Sequence, residues 1–314
     1  MAKYRNILPQ LGDAGFLADG GIETTLIFQE GLDLPEFAAF VLLQDESGRR
    51  ALRKYFRTYV ELAGKHRVGL VLESATWRAS RDWGHKLGFS ESELAELNRR
   101  AITLLAGLRA EYETPESPIV ISGCIGPRGD GYVPSAVMSA AEAQAYHAFQ
   151  VELFRQTEAD LVTAITMNYI EEAIGITRAA LAAGMPVVIS FTVETDGRLP
   201  TGQSLQEAIE RTDAATGNGP AYYMINCAHP QHFENVLDGG AWMDRIRGVR
   251  ANASTKSHAE LNESSELDEG NPAEFGRQHR SLMDMLKNLR VLGGCCGTDH
   301  RHIEAICTAC LVAA

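Results

Sequence analysis

Short apolar segments alternate with amphipathic segments along the whole chain, and this alternation constrains the fold more than any other feature. Eight segments have the composition of strands: "GFLADG", "GLVLES", "PIVISGC", "DLVTAIT", "PVVISFTV", "AYYMINC", "RGVRANAS" and "RVLGGCC". They are continuous apolar runs, as expected of parallel strands that are covered on both faces. Eight β/α units in 314 residues predict a single (β/α)8 barrel domain over residues 1–314. A doubly wound open sheet is the weaker alternative, because no G-x-G-x-x-G follows the first strand.

Charge and composition exclude several classes of protein. The formal net charge of -12 disfavours a nucleic-acid or anionic-membrane surface. The N-terminal segment "MAKYRNILPQLGDAGF" has no long apolar run, and no later run approaches the roughly 20 residues that span a bilayer. Six cysteines in a chain of this length do not form the pattern of a secreted disulfide framework. We therefore expect reduced thiols and a cytoplasmic location.

Three cysteines follow predicted strands at the edge where a (β/α)8 barrel carries its chemistry. Cys295 and Cys296 end the last strand in "VLGGCCGT", and Cys227 ends the sixth in "INC". Adjacent cysteines seldom pair with each other, because the small ring strains the disulfide. Three thiolates could bind Zn²⁺ and leave its fourth position open for a substrate. Three buried, inert thiols are the alternative at this point.

The other cysteines and one long polar segment have simpler interpretations. Cys124 follows the third strand and is expected to be a small packing residue, although it could be a spare ligand. Cys307 and Cys310 form a C-x-x-C on a C-terminal helix, where packing is expected rather than redox chemistry. Residues 253–278 predict either a solvated loop or a lid over the barrel mouth.

Five motifs resemble one known family. "DGGIETTL", "GCIGPRGDGY", "ADLVTAITMNYIEEA", "INC" and "GGCCGT" occur in the order and spacing of the homocysteine S-methyltransferase family. The resemblance covers nearly the whole chain. It implies a (β/α)8 barrel in which Zn²⁺, held by Cys227, Cys295 and Cys296, activates the thiol of the substrate. It also implies in-line transfer of a methyl group from an onium donor to that sulfur.

The resemblance also carries individual residues of the first two strand ends. Asp19, Gly20 and Gly21 match the family's D-G-G, where the glycine amides are expected to hold the carboxylate of the amino acid, since residues without a Cβ permit close approach. Asp19 would position the substrate or the backbone turn. Thr76 and Trp77 match a Thr-aromatic pair. Trp77 is expected either to stack on the cationic donor or to pack the rim.

The end of the fourth strand departs from the family. The family has Glu-Thr there, and its Glu is the expected partner of the substrate ammonium, whereas this chain has Ile165 followed by Thr166. An aliphatic side chain cannot compensate a buried cation. Glu23 and Glu73 could replace the missing charge, or the acceptor thiol could lack an amino group. Asn226 precedes the first cysteine and is expected to orient it.

The leading hypothesis is a zinc-dependent methyltransferase that converts homocysteine to methionine. The alternatives are transfer to a different, amine-free thiol and a non-catalytic zinc- or thiol-binding protein. The predicted partners are a small-molecule thiol acceptor and an onium methyl donor such as S-methylmethionine or betaine. No nucleic acid or membrane is expected, and the protein is expected to be a monomer or a homodimer. The predicted substrate-binding residues are Asp19, Gly20, Gly21, Glu23, Glu73, Thr76, Trp77, Thr166 and Asn226.

Overall fold

Eight parallel strands close into a barrel in the computed structural model, which describes residues 2–134, 137–263 and 266–311. Each strand pairs with its neighbours in chain order, and the last strand pairs with the first. The predicted (β/α)8 barrel is therefore confirmed, and each of the eight predicted segments overlaps a strand. The strands are β1 Phe16–Ala18, β2 Gly69–Glu73, β3 Ile119–Ile125, β4 Leu161–Met167, β5 Val187–Phe191, β6 Tyr222–Asn226, β7 Ile246–Ala251 and β8 Val291–Gly294.

Helices surround the barrel and begin at capping residues that the sequence supplies. Ser90 and Ser139 each form a capping box with a glutamate three residues later, which satisfies backbone amides of the first turn. Gly217 ends a helix with a φ of 64°, a conformation that glycine adopts without strain. The α-helices in the described part of the chain are α1 Glu46–His66, α2 Arg81–Lys86, α3 Glu91–Tyr112, α4 Ala140–Arg155, α5 Ile170–Ala182, α6 Leu205–Thr216, α7 Pro230–Phe233, α8 His258–Glu263, α9 Pro272–Met285 and α10 His300–Cys310.

The barrel interior changes from apolar to polar along the strands. Near their amino ends, side chains such as Val71, Val120 and Met224 form an apolar plug. Near their carboxyl ends, the buried side chains include Glu73 and Arg250. Because buried charges need partners, this polar layer marks the carboxyl-terminal end as the place where a ligand binds. Among the described residues, no helix combines the length and apolarity that crossing a membrane requires.

Candidate metal centre and substrate cavity

A cavity of about 690 Å³ opens at the carboxyl ends of the strands. Residues from most of the βα-loops line it, as is usual for the ligand site of a (β/α)8 barrel. Ten of the predicted site residues line the cavity, whereas Thr76 and Asn226 do not. Those ten are Asp19, Gly20, Gly21, Glu23, Glu73, Trp77, Thr166, Cys227, Cys295 and Cys296.

The three predicted cysteine ligands form one cluster on the cavity wall. Cys227 Sγ lies 2.7 Å from Cys295 Sγ and 3.5 Å from Cys296 Sγ. All three sulfurs lie within 4.8 Å of one another, so one metal ion could contact them together. The hydrogen bonds that Cys296 Sγ receives from the thiols of Cys227 and Cys295 lower the pKa of Cys296 well below its usual value. Three thiol ligands that share protons in this way fit a thiophilic ion such as Zn²⁺.

The backbone around the cluster explains the Gly-Gly pair that precedes the adjacent cysteines. A Cβ on Gly293 would lie 2.8 Å from the Cβ of Ala18 on β1, and a Cβ on Gly294 would overlap Thr298. Cys295 N donates to Ala251 O at 2.8 Å, and the carbonyl of Cys295 accepts from Thr298 Oγ1 at 2.7 Å. Gly293 therefore lets β8 approach β1 closely, Gly294 lets the turn that contains Thr298 fold back on β8, and these hydrogen bonds fix the loop that carries the cysteines.

Cys227 lies on strained backbone, with a φ of 55°. Its amide donates to Arg250 O at 3.1 Å, which holds the strand end in place. Non-glycine residues with positive φ are uncommon and occur often at functional sites. Here the strain turns the residue after β6 toward the loop that follows β8.

Two further residues at the cluster were not found by sequence reasoning. The hydroxyl of Tyr132 lies 3.0 Å from Cys227 Sγ and 3.9 Å from Cys296 Sγ. His258, on α8, places Nε2 2.5 Å from the carbonyl oxygen of Cys227, and its ring lies 4.2 Å from that of Tyr132. Tyr132 belongs to the "GCIGPRGDGY" motif, which was a usable signal. His258 lies in a polar segment without any motif.

Asn226 and Thr166 are hydrogen-bonded to each other, and Thr166 lines the cavity whereas Asn226 does not. Asn226 Oδ1 accepts from Thr166 N at 2.9 Å, and Asn226 Nδ2 donates to Thr166 Oγ1 at 2.9 Å. Ser190 Oγ also donates to Asn226 Oδ1, at 2.6 Å. Thr166 has a φ of 66°, so these bonds stabilise another strained strand end. Asn226 thus fixes the β4 and β6 ends beside Cys227, which fits the orienting role expected for it.

The second strand end has a different organisation from that expected. Thr76 is fully buried and donates from Oγ1 to Cys124 O at 2.7 Å, so its hydroxyl holds the β3 end. Trp77 lines the cavity and places Nε1 3.4 Å from Ile165 O. The guanidinium of Arg78 lies 4.6 Å from the centre of the Trp77 ring, so a cation of the protein itself covers this ring. The Trp77 ring therefore already stacks on the guanidinium of Arg78, and stacking of a methyl donor on the same ring stays a prediction.

At the end of β1, most polar groups form hydrogen bonds with other residues of the protein. Asp19 accepts from Arg250 Nη2 at 2.5 Å and from the hydroxyl of Tyr55 at 2.9 Å. The Gly21 amide donates to Thr298 O at 3.0 Å. The Gly20 backbone lines the cavity but also hydrogen-bonds the hydroxyl of Tyr59, so the contact of these glycine amides with a substrate carboxylate stays a prediction.

The two candidate carboxylates have different surroundings. Glu73 lies at the cavity floor with Oε2 unpartnered among the described residues, and burial raises its pKa to about 7 although the charge of Arg250 opposes this. Glu23 is half-buried, and burial likewise raises its pKa to about 7, assisted by the charges of Cys295 and Asp19. Ile165 is 8% exposed and lines the same cavity, so an apolar surface faces the ligand where the family pattern has Glu.

The polar segment over residues 253–278 lies at the cavity mouth. Ser254 Oγ donates to Asp268 Oδ2 at 2.7 Å, which joins the two ends of a loop that contains α8. His258, Leu261 and Leu267 of this loop line the cavity. Residues 264 and 265 lie outside the described part of the chain. Because this segment lines the cavity, its position fits a lid better than it fits a loop that points wholly into solvent.

Comparisons with known proteins agree with the geometry. A family model described as homocysteine S-methyltransferase matches residues 16–310. The fold is similar to that of the homocysteine methyltransferase MmuM from Escherichia coli in its oxidized form, with 21% identity, a TM-score of 0.73, and coverage of 97% of this chain and 98% of that one. The metallated form of MmuM gives 20% identity and a TM-score of 0.73, with coverage of 97% and 99%. No curated protein matches the sequence.

Proposed function

Because the chain belongs to the homocysteine S-methyltransferase family and is therefore an S-methyltransferase, we propose that it transfers a methyl group from an onium donor to the thiol of homocysteine. The observation that carries the proposal is the cluster of Cys227, Cys295 and Cys296 on the wall of the large cavity. These residues would hold Zn²⁺. Zinc would supply deprotonation of the acceptor thiol, which is otherwise mostly protonated at neutral pH.

The remaining chemistry falls to the protein. The strained backbone at Cys227 and the hydrogen-bonded loop after β8 hold three sulfurs toward one point of the cavity. An acceptor sulfur placed there would face the open mouth of the cavity. The donor would approach from the mouth with its onium atom, its methyl carbon and the acceptor sulfur in one line. The thiol proton would leave to solvent when the acceptor binds as a thiolate. Transfer then forms the new S–CH3 bond with a lone pair of the acceptor sulfur, and the bonding pair of the broken bond stays on the onium atom of the donor, which loses its positive charge.

The charge of the cavity supports a cationic donor. Among the described residues that line it, eight carry carboxyl groups and two are arginines. A cleft with an excess of one sign of charge attracts ligands of the opposite sign. The acidic members are Asp19, Glu23, Glu73, Asp130, Glu194, Glu263, Glu266 and Asp268.

A second candidate function follows from Ile165. An apolar side chain at this position suits an acceptor without an ammonium group, so transfer to a different, amine-free thiol is the alternative.

The test is to incubate zinc-loaded protein with isotopically labelled homocysteine and one of S-methylmethionine, betaine or dimethylsulfoniopropionate, and to measure labelled methionine by mass spectrometry, because S-methylmethionine itself yields unlabelled methionine. We expect labelled methionine with at least one donor. Absence of labelled methionine with every donor, together with methylation of 4-mercaptobutanoate, would establish the alternative. No transfer to either thiol from any of these donors would refute both assignments of the substrates.

A further inference from the structure

We propose that the Glu23 carboxylate and the Arg78 guanidinium together bind the α-amino acid head group of the acceptor, Glu23 at the ammonium and Arg78 at the carboxylate. This assignment rests on the proposed transfer to an amino-acid thiol and deepens it. It gives the chain a head-group site that does not use the end of β4, where Ile165 stands. It also assigns a function to Arg78, which no motif singled out.

Arg78 is a buried cation whose hydrogen-bonding capacity is mostly unused. It is 8% exposed, and its guanidinium lies between the rings of Trp77, at 4.6 Å, and Trp83, at 3.8 Å. Its Nε and Nη1 have no hydrogen-bond partner in the described part of the chain. Its ion-pair contact there is to Asp130, at 3.8 Å from Nη2.

A buried guanidinium with free N–H groups is costly unless a ligand completes its hydrogen bonds. Because its planar fork matches a carboxylate, an anionic group of the substrate is the partner that fits Arg78. The two tryptophans hold the plane of the guanidinium, and Arg78 is among the residues that line the cavity. The side chain is therefore oriented before a ligand arrives.

Glu23 is the opposite charge on the cysteine side of the cavity. It directly precedes a π-helical turn, Thr24–Gln29, and such turns are frequent at functional sites. Thr24 Oγ1 accepts from Gly297 N at 3.0 Å, so this turn contacts the loop of Cys295 and Cys296 directly. The Glu23 carboxylate accepts a hydrogen bond from its own backbone amide, and no side chain among the described residues forms an ion pair with it.

Glu73 fits the ammonium less well than Glu23. Glu73 lies on the barrel floor, where the nearby charge of Arg250 already stabilises its carboxylate. Glu23 lies on the wall beside the sulfurs, where burial affects its carboxylate more than the charge of Arg78 does. An ammonium group at Glu73 would compete with Arg250, whereas at Glu23 it would supply a missing partner.

Glu23 and Arg78 both line the cavity, and the charge of each acts on the other. Glu23 is joined to the sulfur cluster through the loop that contains Gly297, and Arg78 lies beside the loop that brings Tyr132 to Cys227. They do not form an ion pair with each other in the described structure, which leaves space for a ligand between them. A zwitterion whose ammonium and carboxylate are two bonds apart could contact both, with its sulfur directed at the cysteines.

The test uses methionine, the product, because its binding requires the head-group site but no free thiol. Isothermal titration calorimetry compares methionine with 4-(methylthio)butanoate, which lacks the amine, and with 3-(methylthio)propylamine, which lacks the carboxylate. We expect each analogue to bind the wild-type protein at least about 30-fold more weakly than methionine, as for loss of one member of a desolvated charge pair.

Variants then assign each contact. In Glu23→Gln, methionine and the butanoate are expected to bind within about 3-fold of each other, and in Arg78→Gln, methionine and the propylamine are expected to do so. Matched controls are Glu30→Gln, which follows the same π-helical turn and pairs with Lys54, and Arg81→Gln, which pairs with Glu91. Both controls should retain the wild-type affinities and the full discrimination against each analogue.

Each failure has its own meaning. Equal binding of methionine and 4-(methylthio)butanoate by the wild-type protein overturns the head-group site even if a variant does not fold. Discrimination that persists in both Gln variants overturns the assignment to Glu23 and Arg78, while methionine formation in the transfer assay would still support the proposed function. If Arg78→Gln raises only the KM of the donor, Arg78 binds the donor and the assignment to the acceptor is wrong.

Discussion

Replacing Gly294 by alanine tests whether the close contact between β8 and the following turn fixes the metal centre. The new Cβ would overlap Thr298 Oγ1 and lie 2.7 Å from Thr298 Cβ. Thr298 cannot rotate away freely, because its hydroxyl bonds Cys295 O at 2.7 Å and Gly21 N at 3.1 Å. Overpacking costs about 1–3 kcal/mol, and each lost hydrogen bond costs about 1 kcal/mol. We expect a loss of about 2–4 kcal/mol in the free energy of unfolding.

The assay is urea unfolding with a chelator present, so that loss of metal does not contribute, followed by zinc titration of the folded variant. We also expect weaker zinc binding, because Cys295 and Cys296 follow the displaced residue directly. Gly64→Ala in α1 is the matched control: a Cβ there has no neighbour within 4 Å, so alanine should stabilise the helix by about 0.5–1 kcal/mol. If Gly294→Ala retained wild-type stability and zinc affinity, the close-approach explanation of the Gly-Gly pair would be refuted.

Three further predictions follow from the site. Cys227→Ser should remove most of the bound zinc and nearly all transfer, measured by metal analysis and methionine formation, whereas replacing Cys307 and Cys310 together should spare both. Glu73→Gln should stabilise the protein increasingly as the pH rises from about 5 to 8, by up to about 3 kcal/mol in the free energy of unfolding by urea. The reason is that the pKa of Glu73 is about 7 in the folded protein and lower in the unfolded chain, so that ionisation of Glu73 destabilises the folded state above the unfolded-state pKa. A pH-independent difference would contradict this. Trp77→Ala should raise the KM of the donor by about 2- to 30-fold if the ring stacks on it, and an unchanged KM with lower stability would assign Trp77 to packing against Arg78.

The strand ends were predictable because their signal is local. Continuous apolar runs located all eight strands, and the barrel topology then placed Cys227 beside Cys295 and Cys296 although about 70 residues separate them in the chain. Side chains delivered by loops were not predictable in this way. Tyr132 reaches Cys227 only because its loop crosses the mouth, and His258 does so because α8 lies above the neighbouring strand end.

The roles of individual polar residues were harder to predict than their positions, because a hydroxyl or an amide serves a ligand or a neighbouring loop equally well. Thr76 was expected at the substrate and instead bonds Cys124 O, and the Gly21 amide bonds Thr298 O. Only the folded arrangement of partners decides such a choice. Arg78 illustrates the converse: the sequence shows one more arginine, and the structure shows that its Nε and Nη1 have no hydrogen-bond partner among the described residues.

The cysteine loops of the site are held by backbone hydrogen bonds, whereas the cavity mouth is formed by loop side chains. This difference bears on which residues determine specificity for the acceptor and for the donor. The cysteine loops contact neighbouring strands through backbone hydrogen bonds, as at Cys227 N to Arg250 O and Cys295 N to Ala251 O. The mouth is bounded instead by loop side chains such as Val133, which is 67% exposed, and Leu261. Loops of this kind tolerate substitution far better than strand ends do. Acceptor chemistry should therefore depend on residues at the strand ends and the loops directly after them, whereas changes at the mouth should alter the choice of donor and leave metal binding intact.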